Sequence, residues 1–395
     1  MCVKSSRHGC CRPLSITLAA LAALSQTAPL GAQSVPDARS QAQPHLIPRS
    51  PEERESGYQA AHHIILNVHV SDVSGKSTAG LNQGDVTLLV DDKPRAITRF
   101  QSVKGGSPIA LSQVILVLDT INNSAGKLAH FYREIQKYLA EGNGELAYPT
   151  SIAVVSESGV SVSPPSRDRA TLEATVSALK SRLHSTDCAD AEGSDQRYLP
   201  FTTKSTPRDP NRELDCVDQQ FTASVKALNS LAEQQGNAHI PAILIWIGQG
   251  WPLLYQKGFK PDTPSIKHTF FKDLVNISSG LIEAQATLYA IASPDEERLD
   301  PHDSAFFDGV PNENEVSTGS LSLHAVAHQS GGRILKNTKD VAQQIKDCIA
   351  DAASSYVLSF DSPPAAGFGE YHSLKVKVGD PKLQVRTNTL YYAEQ

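Results

Sequence analysis

Hydrophobic and polar positions divide the chain into three zones. From 62 to 103 apolar residues alternate with others: Ile64, Leu66, Val68 and Val70 fall at every second position, the period that turns one strand face to a core. Segments 71–76 (SDVSGK) and 91–94 (DDKP) read as turns, with strands at 85–90 (DVTLLV) and 95–100. From Ser112 the rhythm becomes strand, helix, strand, helix. The runs 114–119, 241–247 and 286–292 are nearly all apolar, as strands covered on both faces of a parallel sheet are, and 150–156 (TSIAVVS) reads as the next strand. Helical spacing fills 128–139, 169–183, 217–232, 270–285, 321–329 and 338–352, with a short antiparallel return at 160–162 and a short strand at 331–335. After Ser354 the β rhythm returns at 356–360, 374–378 and 383–387, and Tyr391 and Tyr392 finish the last strand. The terminal β segments are too few to bury a core separately. The predicted architecture is therefore α/β: a doubly wound, mostly parallel sheet (108–353) inserted in a β-sandwich formed by N-terminal (62–104) and C-terminal (354–395) strands.

The first parallel strand carries the candidate chemistry. Its apolar run ends on Asp119, and Thr120, Asn122, Asn123 and Ser124 follow before helical spacing begins. Open α/β sheets take ligands at the carboxyl ends of their strands. Two readings stand: Asp119 opens a ligand surface, or it caps the next helix. Gly248, Gln249 and Gly250 follow the Trp246 strand and allow a sharp turn. Trp251 then either joins a binding rim near Asp119 or covers the sheet end. The glycine turn holds no serine, so it is not a hydrolase elbow. His324 and His328 share a helix face, but Ala325 stands where a zinc protease needs glutamate. They read as loop- or solvent-facing residues, as does the His62–His63 pair at a strand start. Asp295, Glu296 and Glu297 read as a solvated loop. No phosphate-loop or dinucleotide fingerprint occurs.

The two ends of composition and charge change the picture little, but the first residues change it more. The 395 residues carry a net charge of −6, against the basic footprint of a nucleic-acid binder. Lys4, Arg7 and Arg12 precede an apolar run at 14–24 and a Leu30-Gly31-Ala32 cleavage pattern, so 1–32 reads as a secretory signal peptide. That run falls short of the roughly 20 residues a membrane span needs, and no stable span is expected after cleavage. The expected location is secreted, periplasmic or cell envelope. Residues 33–61, rich in Pro, Ser, Gln and charge, read as a flexible linker. An oxidising compartment would let Cys188 and Cys216 bridge the polar, proline-bearing insertion at 186–215. Cys348, on an apolar helical stripe, reads as a core thiol.

Seven stretches occur in one order: 68–100 (VHVSDVSGKSTAGLNQGDVTLLVDDKPRAITRF), VILVLDT, AILIWIGQGWP, ATLYAIA, AHQSGGRILKNTKDVAQQI, SSYVLSF, and YHSLKVKV with VRTNTLYYA. In this the chain resembles the secreted von Willebrand factor type A-related proteins of acidobacteria over nearly all its mature length. The resemblance implies helices on both sheet faces and a ligand surface at the strand ends. In many type A domains that surface holds a divalent cation through an Asp-x-Ser-x-Ser loop, a threonine and a second aspartate. Here Asp119 matches the first acid, Ile121 stands at the first serine, Asn123 at the second, and Gly248 where the later aspartate would be. The resemblance thus implies a degenerate site without a tightly bound metal or other cofactor. The leading expectation is an exported, non-enzymatic binding or adhesion protein. It would contact a protein partner, and no nucleic acid, through Asp119, Thr120, Asn122, Asn123, Gln249 and Trp251. One alternative is a metal-dependent adhesion module with weak Mg²⁺ or Ca²⁺ on Asp119 and Asn123. A second is an enzyme whose reaction no motif names.

Overall fold

The computed structural model describes residues 62–102 except 74, 76 and 79, 113–179 except 143, 210–238, 241–251 except 249, 263–291, 304–335 and 340–393. The expected signal peptide (1–32) and linker (33–61) lie outside them. The first β zone forms β1 (His62–Ser71), β2 (Val86–Val90), β3 (Lys93–Arg95) and β4 (Arg99–Ser102). Asp91 and Asp92, at φ 50° and 58°, make a two-residue hairpin between β2 and β3, the geometry that suits the strand twist. The expected turn at 91–94 is therefore shorter, and Lys93 and Pro94 belong to a strand.

The second zone builds a six-stranded sheet from β5 (Gln113–Asp119), β6 (Thr150–Ser156), β7 (Gly159–Val162), β8 (Ala242–Ile247), β9 (Ala286–Ile291) and β10 (Ile334–Leu335). The order is β10-β9-β8-β5-β6-β7; all neighbours are parallel except β7 on β6. From β5 the chain first winds one way, to β6 and β7, then returns to β8 and winds the other. The switch point lies between β5 and β8, where such sheets form a crevice.

Helices cover both faces. α1 (Ala125–Ala140) and α2 (Arg169–Leu179) lie on one face, and α3 (Pro210–Ala238), α4 (Pro264–Glu283) and α5 (Leu323–Gln329) on the other; α6 (Val341–Ala352) returns to the first. Strand β5 shows why it had to be apolar throughout: Val114, Leu116 and Leu118 enter one core and Ile115 and Val117 the other. Helix α3 begins at Pro210, so 210–215 are helical and not part of the polar insertion; proline suits a first helical turn.

The last zone gives β11 (Ser355–Ser362), β12 (Glu370–Val378), β13 (Gln384–Arg386) and β14 (Leu390–Ala393). Tyr391 and Tyr392 thus have a strand of their own. These strands pair with the first four in two sheets, β13-β1-β11-β4 and β14-β12-β2-β3. Each sheet mixes strands from both ends of the chain, and Leu66, Val68, Leu88, Phe360, Val376 and Tyr391 meet in one buried cluster. No helix among the described residues is long and apolar enough to cross a membrane.

Candidate functional site

The strand-end residues come together at the switch point, but they close on one another instead of opening to solvent. Asp119 is 0 % exposed, as is Asn123, and Thr120, Asn122 and Trp251 are also buried. The expectation of an exposed binding rim on Asp119, Thr120, Asn122, Asn123 and Trp251 is corrected; Gln249 lies outside the described residues. The reason is the inventory of hydrogen bonds.

Both oxygens of Asp119 are filled by N–H donors. Oδ1 accepts from the backbone N of Ile121 at 3.0 Å and of Asn122 at 3.1 Å, the local turn that aspartate side chains favour. Oδ2 accepts from Asn122 Nδ2 at 2.7 Å and from the indole Nε1 of Trp246 at 3.0 Å. The Asn122 amide is fixed in turn. Its Nδ2 also donates to Ser224 Oγ at 2.8 Å, and that hydroxyl donates to the Gln220 carbonyl at 2.8 Å. A hydroxyl has one proton, so Ser224 can only accept from Asn122. Gln220 Nε2 donates to the Ile121 carbonyl at 3.0 Å, and Asn123 Nδ2 to the Asp119 carbonyl at 2.7 Å. Thr120 Oγ1 donates to the Val155 carbonyl of β6 at 2.7 Å.

Every described group that bonds the carboxylate donates to it, an arrangement that favours the ionised form. Burial pushes its pKa up from the ordinary carboxylate range, and the bonds from Asn122, Trp246 and Ile121 pull it back without cancelling the rise. The lid is aromatic. Trp251 meets the ring of Trp246 edge-on at 5.9 Å and that of Phe221 at 6.4 Å, and Phe221 packs on Phe270 at 5.3 Å. Trp251 covers the sheet end, the second of its two sequence readings. Gly248 passes so close that a Cβ there would stand 2.6 Å from Asn123 Nδ2 and 3.0 Å from Asp119 Cβ.

These residues do not fit a divalent ion. A hard cation needs converging oxygens, whereas each Asp119 oxygen already faces two N–H groups. Ile121, two residues after Asp119, is buried and apolar and offers no ligand. Asn123 turns its NH₂ group to the Asp119 carbonyl.

Trp246, Ser224 and Gln220 are the partners sequence reading missed. A signal existed for each. Trp246 is an indole donor inside a buried strand next to the one that ends in Asp119, and buried indoles take an acceptor. Gln220 and Ser224 lie four apart among Val217, Phe221, Val225 and Leu228, polar positions in an apolar helical stripe. His328 is half-buried, stacked on Phe307 at 4.2 Å, and burial lowers its pKa. Of the two alternatives expected for it, solvent-facing or loop-facing, it takes the second, against Phe307 of the 305–310 loop. Cys348 is a free, buried thiol. Cys216 is disulfide-bonded; Cys188, its expected partner, lies outside the described residues.

No protein-family description and no curated protein matches the chain. Among solved structures it is similar to human Sec24c of the COPII coat, at 9 % identity and a TM-score of 0.35. The match covers 72 % of this chain and 44 % of that one, so this chain spans less than half of its length.

Proposed function

We propose that the protein is an exported, non-enzymatic binding protein that contacts a protein partner without a metal ion. In this reading a von Willebrand factor A-like α/β unit sits in a β-sandwich formed by the two ends of the chain, and the partner meets the outer surface of that body. The supporting observation is the closed strand end. At the place where an α/β sheet offers its ligand crevice, Asp119 spends both oxygens on Ile121, Asn122 and Trp246, and Trp251, itself buried, packs edge-on against the Trp246 ring. The polar residues that a cation or substrate would meet serve the fold instead.

The test uses the mature protein as bait against its own cell-envelope extract, with Mg²⁺ and with EDTA, beside calorimetric titration with Mg²⁺ and Ca²⁺. The expected result is one partner retained equally in both buffers and no heat of cation binding. Retention only with Mg²⁺ would establish the metal-dependent adhesion module instead. Turnover of a retained component would establish an enzyme.

A further inference from the structure

A second polar cluster lies where the α/β unit meets the β13-β1-β11-β4 sheet, and nothing in the binding reading uses it. Its hub is the Asp351 carboxylate near the end of α6, with a side chain 9 % exposed. Arg386 of β13 reaches both its oxygens through Nη2 at 2.7 Å. Tyr289 Oη of β9 donates to Oδ2 at 2.7 Å, and Arg333 Nη1 lies 3.5 Å from Oδ1. The second terminal nitrogen of Arg386, Nη1, donates to the carbonyls of Gly331 and Gly332 at 3.1 and 3.3 Å. The backbones meet closely here: a Cβ on Gly331 would stand 2.8 Å from the Thr387 carbonyl carbon. One carboxylate thus joins a helix and a strand of the α/β unit to a strand from the far end of the chain.

His69 of β1 completes the cluster. It lies directly across from Arg386 in the β1–β13 ladder and is 4 % exposed. Its Nδ1 is 3.3 Å from the Asp351 backbone carbonyl. A carbonyl only accepts, so Nδ1 carries the proton. Nε2 is buried and has no hydrogen-bond partner among the described residues. The charged groups around the ring are Asp351 of α6, Arg386 of β13 and Arg333, which precedes β10. A second proton would have to sit on Nε2, with no acceptor, beside two guanidinium groups. The imidazolium reaches an acceptor only if the ring reaches water.

We propose that this cluster is an acid-opened latch: closed around neutral His69 at neutral pH, it releases the β1–β13 edge from α6 when His69 takes a proton on Nε2. The closed state resists that proton. Burial lowers the His69 pKa to about 4, with Asp351 opposing and Arg386 and Arg333 adding to the effect. An imidazole in water titrates near pH ~6.5. Linkage between the two values makes opening about 20-fold more favourable at pH 5 than at pH 7.

Hydrogen exchange of the full chain at pH 7 and pH 5, corrected for intrinsic rates, reads the latch directly. The amides of 69–71, 331–332 and 385–388 are expected to lose about 20-fold in protection while those of β5 keep theirs. His69→Gln, which cannot take the proton, is expected to make latch protection independent of pH. Unchanged protection in the wild type would overturn the proposal. So would an equal loss in β5, which means global unfolding, or the same pH response in the variant. The wild-type comparison of latch against β5 decides the matter even if His69→Gln does not fold.

Discussion

Asp119→Asn separates a structural carboxylate from a binding one. The substitution keeps the shape and replaces one oxygen with NH₂. At Oδ1 that NH₂ would confront the backbone N–H groups of Ile121 and Asn122; at Oδ2 it would confront Asn122 Nδ2 and the Trp246 indole. Only the Asn122 amide can turn round, and turning breaks its bond to Ser224. One placement loses both backbone bonds to the carboxylate; the other loses the Trp246 bond and either the Asn122 bond to the carboxylate or its bond to Ser224, and a bond to a charged acceptor contributes about 1.5–3 kcal/mol. Removing a buried charge returns part of that, since burial opposes the ionised form. The net expectation is a loss of about 3 kcal/mol. Urea unfolding at pH 7, followed by circular dichroism, reads it as a midpoint lower by roughly 1 M at an unchanged slope of about 3 kcal/mol/M. A variant within about 0.5 kcal/mol of wild type would mean that the donors do not face an anion, and the assignment of Asp119 to the fold would fall. A variant of wild-type stability that no longer held its partner would restore the exposed rim.

Trp246→Phe removes the indole donor and part of a fully buried ring; a loss of about 2–4 kcal/mol is expected in the same urea assay, and a smaller effect than a single hydrogen bond would refute the role of Nε1. Gly248→Ala places its methyl 2.6 Å from Asn123 Nδ2, so the chain must shift, at about 1–3 kcal/mol; a neutral or stabilising result in thermal melts would show that the strand end is looser than drawn. His69 gives the pH dependence. Its pKa is lowered to about 4 in the fold, so between about pH 6.5 and 4 the unfolded chain binds more protons than the native one, and stability falls as pH falls through that window. The loss reaches about 3 kcal/mol at the acid end; His69→Gln is expected to flatten that limb of a stability–pH profile, and an identical slope in the variant would contradict it.

How much of this the sequence disclosed follows the reach of each interaction. The central strands were legible because burial on both faces writes an apolar run directly into the residues, as at Val114–Leu118. The return at β7 and the helices on both faces were legible for the same local reason. Boundaries were less so: Pro210 looked like part of a polar insertion, and only the helix it starts shows it as a first-turn proline. The strand-end residues were correctly grouped and wrongly oriented. Asp119 lies 127 positions from Trp246 and Asn122 lies 102 from Ser224, and no local period encodes who donates to whom across such distances. The latch was invisible outright. Asp351, Arg386, Tyr289 and His69 sit in ordinary helix and strand patterns; the pairing of β1 with β13 sets His69 beside Arg386, and the bonds to Asp351 bring in α6 and β9.

The two buried aspartates show why residue type alone did not decide their roles. Asp119 faces only neutral N–H donors, and burial wins: its carboxyl is raised. Asp351 is pushed up by burial too, but the Arg386 guanidinium, the His69 ring and the bonds from Arg386 and Tyr289 outweigh it and hold the carboxyl below its ordinary value. Their acid responses therefore have opposite signs. Asp119 takes its proton in the fold at higher pH than in the open chain, so falling pH does not destabilise the strand end through it. Asp351 keeps its charge until below the ordinary carboxylate range, and its contribution is lost only there. Between neutrality and that range neither aspartate weakens the fold, whereas His69, buried and with its Nε2 unpartnered among the described residues, must leave its place to be charged. The strand end and the latch are thus built from the same kinds of side chain, yet of the two it is the latch that falling pH weakens.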